Sequence, residues 1–109
     1  MILHIVPRAA WEAAQAAGVY EGDTLATEGF IHCSTEHQVH KPANFLFHGR
    51  DDIMLLVIDE SRLPVKLTWE DSDGEIFPHL YAPLPLDAVA AVHEYHPEPD
   101  GSFTPPTGL

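Results

Sequence analysis

Apolar positions along this chain change rhythm several times, and each change marks an element. Ile2-Leu3-His4-Ile5-Val6 is a short apolar run that reads as an opening strand. Pro7 can start a helix, Arg8 to Ala17 is rich in strong helix formers, and Gly18 supplies a C-cap. Val19 to Thr27 is polar and carries glycine, which predicts a loop with a short extended piece. Phe30 to Ser34 then predicts a second strand. Thr35 followed by Gln38 has the spacing of a capping box, so a helix is expected from about Thr35. Pro42 should kink or split that helix, and Ala43 to Phe47 forms its second piece, closed by Gly49.

Ile53-Met54-Leu55-Leu56-Val57-Ile58 is continuously apolar, as in a central strand covered on both faces. Val65 to Glu70 alternates, which predicts a half-buried strand, and Asp71-Ser72-Asp73-Gly74 is a turn. Three prolines punctuate Phe77 to Pro85, so that stretch reads as irregular. Val89 to Tyr95 reads as the last strand. Strands outnumber helices, and the helices fall in the first half, so the expected class is α+β. Residues 1–96 are expected to form a single domain, with 97–109 as a loosely ordered C-terminal tail rich in Pro and Gly.

Composition narrows the function. The 109 residues and 45% apolar content suffice for one core without staples. Cys33 is the sole cysteine, so no intrachain disulfide can form, which fits a reducing compartment. The first residues lack the pattern of a signal peptide, and no stretch approaches the roughly 20 apolar residues that span a bilayer. A cytoplasmic protein with no membrane association is expected. Five Lys+Arg against 17 Asp+Glu leave a formal charge of −12. That surface repels phosphate backbones, so no nucleic-acid partner is expected.

The candidate chemistry lies in histidines set among apolar residues. His32 and Ser34 stand two apart, so an extended chain sends both to one face. Such a pair can orient a ribose or an amide; the alternative is a core histidine with Ser34 capping a helix. His4 stands in the first strand and His79 follows Phe77-Pro78 on a segment where binding residues are commonly found. Tyr20 and Tyr81 are aromatics able to stack on a planar ligand. His37 and His40 lie one turn apart but have no third ligand at a recognisable spacing, so no metal site is expected. Adjacent strand residues point to opposite faces, which rules out a Cys33–His32 nucleophilic pair and leaves Cys33 as a small buried residue.

His4, the run Leu25-Ala26-Thr27-Glu28-Gly29-Phe30-Ile31-His32-Cys33-Ser34, Gln38, Asn44, Trp69-Glu70 and Phe77-Pro78-His79-Leu80-Tyr81 resemble the bacterial family Domain of Unknown Function 952. The resemblance covers residue 2 to about residue 95. It implies a fold similar to that of the ADP-ribosyltransferases, with NAD held in the cleft of a split, mostly antiparallel β-sheet. Their pattern places a His or Arg on the first strand, a Ser, Thr or Tyr on a second, and a carboxylate further on. His4 matches the first element, and His32 with Ser34 the second. Glu75, with Glu70 as the other choice, would supply the third. The resemblance thus implies His4, His32, Ser34 and Glu75 as catalytic residues, and His4, His32, Ser34, His79 and Tyr81 as contacts to NAD or a related nucleotide. ADP-ribosyl transfer or NAD cleavage would be the reaction. The alternative is a non-catalytic module that binds a small metabolite or a protein in the same cleft.

Overall fold

A computed structural model describes residues 1–109. In chain order the elements are β1 (Ile2–Pro7), α1 (Arg8–Ala17), β2 (Val19–Tyr20), α2 (Thr24–Glu28), β3 (Ile31–His32), β4 (Ser34–Thr35) and α3 (His40–Phe47). There follow β5 (Ile53–Ile58), β6 (Thr68–Ser72), β7 (Glu75–Leu80), β8 (Leu84–Pro85) and β9 (Val89–Tyr95), with 3₁₀ turns at Glu60–Arg62 and Leu86–Ala88. The class is α+β, every strand pairing is antiparallel, and the three α-helices lie in the first half.

Three sheets share the strands. One has the order β4-β1-β5-β9, one pairs β2 with β8, and one has the order β3-β7-β6. The continuous apolar run of β5 is explained by its place between β1 and β9. Along β1 and β5 alternate residues serve two cores. Ile2, Val6, Leu56 and Ile58 enter the larger one, together with Trp11 and Ala14 of α1, Ile31 of β3 and Leu80 of β7. Leu3, Ile53 and Leu55 enter the smaller one, covered by Val39, by Ala43 of α3 and by Phe103. The four-stranded sheet is therefore the middle layer.

Local chemistry sets several boundaries. Gly18 takes φ 85° and its N–H reaches Ala14 O at 2.8 Å, closing α1 as expected. Asp73 and Gly74 both take positive φ, 54° and 85°, as the two-residue turn of a tight hairpin demands. That turn sets the register Ser72↔Glu75 through Thr68↔His79 between β6 and β7.

Other expectations are corrected. The Phe30–Ser34 strand is two strands in two sheets: β3 pairs with β7, β4 pairs with β1, and Cys33 lies between them. Gln38 Oε1 does accept the Thr35 N–H at 3.0 Å, but what it closes is a turn; α3 starts at His40. Pro42 then sits in the first helical turn, where its missing N–H costs nothing, so no kink results. The short extended piece expected within 19–27 is β2, whereas the polar composition there conceals the one-turn helix α2. The strand expected at 65–70 runs instead over Thr68–Ser72 and is largely exposed. The supposedly irregular 77–85 is mostly β7 and β8, because Pro78 uses its carbonyl to accept the Cys33 N–H at 3.0 Å.

The tail differs as well. Phe103 is 3% exposed and packs with Tyr95 at a ring-centroid distance of 4.8 Å. Asn44 clamps its backbone from both sides, Phe103 N–H to Oδ1 at 2.6 Å and Nδ2 to Phe103 O at 2.9 Å. Residues 97–109 thus help cover the smaller core, since one aromatic amid prolines suffices to anchor them. No helix is long and apolar enough to cross a membrane.

Candidate functional site

β3 and β7 bring His32 opposite His79. The Cys33 N–H points to β7, so the backbone of His32, one residue earlier, points away from it. His32 and His79 therefore form a non-hydrogen-bonded pair, the kind that brings side chains close on one face. Their rings stand 5.3 Å apart, edge on. Phe30, two residues before His32, stacks on His79 at 4.1 Å and lies 5.1 Å from Tyr81. On the neighbouring strand Glu70 faces Phe77, one pleat away from His79. Its Oε1 accepts both the His79 Nδ1–H at 2.8 Å and the Tyr81 hydroxyl at 2.5 Å. At the outer edge His32 Nε2 meets Glu28 Oε2 at 3.0 Å.

Protonation follows from these partners. The Tyr81 hydroxyl first, and His79 second, hold the Glu70 carboxyl below its ordinary range; Glu70 in turn raises the Tyr81 phenol. Glu70 is then an acceptor at neutral pH, so the His79 nitrogen that faces it, Nδ1, carries a hydrogen. Nε2 is the ring's other nitrogen. It is buried and has no partner. Buried polar atoms are nearly always paired, and His40 Nδ1 is the other exception in this chain.

His4 sits behind this face. The His32 carbonyl, turned away from β7, accepts from His4 Nδ1 at 2.5 Å, and His4 Nε2 lies 2.7 Å from the Tyr20 hydroxyl. Burial pushes His4 down to about 4, against the smaller upward pull of the bond to His32. The ring is neutral, Nδ1 carries the hydrogen, and Tyr20 donates to Nε2. Burial also pushes the Tyr20 phenol up to about 12, so that donor stays protonated. Both nitrogens of His4 are occupied, and the residue ties β1 to the free edge of β3.

The other sequence-derived candidates separate. Ser34 pairs with Leu3 of β1, whose side chain enters the smaller core, so Ser34 faces away from His4. Its two-residue spacing from His32 misled because the chain changes sheets at Cys33. Glu75 shares a face of β7 with His79 but stands four residues away, about 13 Å along a strand. It binds Gln38 Nε2 at 2.8 Å and Lys41 Nζ at 2.6 Å, and Lys41 above all holds its carboxyl below the ordinary range. Glu70 is the carboxylate that reaches His79, and Glu28 the one that reaches His32. Phe30 and Glu28 join the cluster beyond the residues singled out for binding. Counting outward from an Asp73-Gly74 turn places Glu70 against Phe77 and Thr68 against His79, so the position of Glu70 was available from sequence.

No group of three or more His, Cys, Asp or Glu side chains is arranged to hold a metal ion. An open groove of about 460 Å³ lies elsewhere, between the 60–67 segment and the Trp69 side of β6. A second, of about 210 Å³, lies under the tail against β9.

The family described as Protein of unknown function (DUF952) matches residues 5–92. The chain belongs to this family. The DUF952 chain is similar to CC0527 of Caulobacter crescentus, whose crystal structure is 35% identical in sequence with a TM-score of 0.85 over 94% of this chain and 92% of that one. The solution NMR structure of CC0527 agrees, with 35% identity and a TM-score of 0.81 over 94% and 90% of the two chains. No curated protein matches this DUF952 chain.

Proposed function

We propose that the chain binds NAD or a related nucleotide on the Phe30–His32–His79–Tyr81 face, on a scaffold of the ADP-ribosyltransferase type. The observation that carries this reading is the buried, unpartnered Nε2 of His79, whose ring is oriented through Nδ1 by Glu70. A ribose hydroxyl donating to Nε2 would satisfy that atom. The ring faces of Phe30 and Tyr81 offer a stacking surface for a base or a nicotinamide. The split antiparallel arrangement supports the scaffold assignment. In NAD cleavage the ring nitrogen leaves with its bonding electrons, and positive charge grows on the ribose. Glu70 is the carboxylate best placed to stabilise that charge, and His79 Nε2 could take the proton of the attacking hydroxyl or water.

The test is a titration with NAD at millimolar levels, following the side-chain resonances of His32 and His79. Both should shift. Glu70→Ala, at a half-buried position, should weaken binding by about 1–3 kcal/mol because His79 loses its orienting acceptor. If NAD leaves both histidines unmoved and no nicotinamide is released, the reading is wrong.

A non-catalytic binding module is the second reading, favoured by one observation. Both carboxylates at the face are already engaged, Glu70 by two donors and Glu28 by His32. NAD binding without release of nicotinamide would select it.

A further inference from the structure

The groove between the 60–67 segment and β6 is separate from the histidine face. Trp69 and Glu70 are neighbours on β6, so their side chains leave opposite sides of the strand. Glu70 serves His79, whereas Trp69 lines the groove. Its volume of about 460 Å³ lies within the size of small-molecule sites, roughly 300–1,000 Å³. Leu63 and Leu67 form a floor continuous with the larger core, and Trp69 and Val65 stand 50% and 43% exposed beside it. Large apolar side chains left open on a chain of net charge −12 need an explanation.

The charges supply one. Of the five basic residues, Arg8 is paired with Glu94 at 2.7 Å, Lys41 with Glu75 at 2.6 Å, Arg50 with Asp52 at 2.7 Å and Arg62 with Asp59 at 3.6 Å. Lys66 has no carboxylate within ion-pair distance, although 17 acidic residues surround five bases. This one unpaired cation lines the same groove as Trp69.

We propose that the groove binds a small amphipathic anion, an aryl or branched-alkyl carboxylate, with its apolar part against Trp69 and Leu67 and its carboxylate on Lys66. Glu60, also in the wall, repels the anionic end and leaves Lys66 as its seat. The reading is independent of nucleotide binding on the other face of β6, and either can fail alone.

Trp69 is itself the reporter. Trp11 is only 8% exposed, so acrylamide quenching of tryptophan fluorescence reads Trp69. Phenylacetate should protect Trp69 from acrylamide, while phenylacetamide and phenethylamine should bind about tenfold more weakly, the loss of one charge-assisted contact. Lys66 is exposed, so Lys66→Gln should fold normally and should lower phenylacetate affinity to that of phenylacetamide. Absence of protection by phenylacetate overturns the proposal. So does equal affinity for acid and amide, preference for the amine, or undiminished phenylacetate binding by Lys66→Gln.

Discussion

His4 is where a single side chain couples protonation to folding. Its ring is held neutral, with a value near 4 in place of the ordinary 6.5. Between those values the unfolded chain binds a proton that the folded one refuses, so stability rises with pH across this window and falls as acid is added. A shift of this size corresponds to roughly 3 kcal/mol, a large share of the 5–15 kcal/mol typical of a domain. Thermal melts between pH 6.5 and 4 should therefore show a steep loss of Tm that His4→Gln flattens. A parallel slope in wild type and variant would show that His4 does not titrate this way. His96 works in the opposite sense. Asp51 first, and Glu94 after it, raise its value, so the stability it contributes is present at low pH and is lost as pH rises through that value. Cys33 needs no such balance: burial pushes its thiol up to about 12, and thiol reagents should modify it only on unfolding.

At the scale of elements, the tail is the segment whose behaviour the structure changes most. Phe103→Ala should lower stability by about 3 kcal/mol, the ordinary cost of emptying a buried aromatic site, and calorimetry would read it directly. Asn44→Ala should lose a smaller amount, about 1–3 kcal/mol, by freeing both backbone groups of Phe103. An unchanged Tm in both variants would restore the picture of a loose tail. The elements that sequence showed plainly are those set by near neighbours: the run Ile53–Ile58, the stop at Gly18, the turn at Asp73-Gly74. The elements it hid depend on partners far along the chain. Pro78 occupies a strand because Cys33, 45 residues earlier, needs its carbonyl. Phe103 is ordered because Asn44 receives it. The candidate site divides in the same way. His32 and His79 could be placed from their apolar flanks, whereas Ser34 and Glu75 were misplaced because a sheet change and a strand length separate them from the histidines.

For the whole molecule, charge is the dominant long-range term. Four of the five bases already neutralise an acid, and the remaining carboxylates repel one another across a surface carrying −12. Screening weakens that repulsion more than it weakens four exposed ion pairs, each worth little. Raising NaCl from low ionic strength to about 0.15 M should therefore raise Tm. A fall would mean that the ion pairs outweigh the repulsion.

Cys33 also governs how the molecule comes apart. The residue before it belongs to one sheet, the residue after it to another, and its own amide is bonded to Pro78. No slack separates the two ladders, so an opening that frees β3 from β7 pulls within one residue on β4 and β1. The sheets should breathe as one cooperative unit and not in turn. In native-state hydrogen exchange the amides of Leu56 and Leu80 should report the same opening free energy. A gap between them larger than about 1 kcal/mol would show that the chain yields at this joint first.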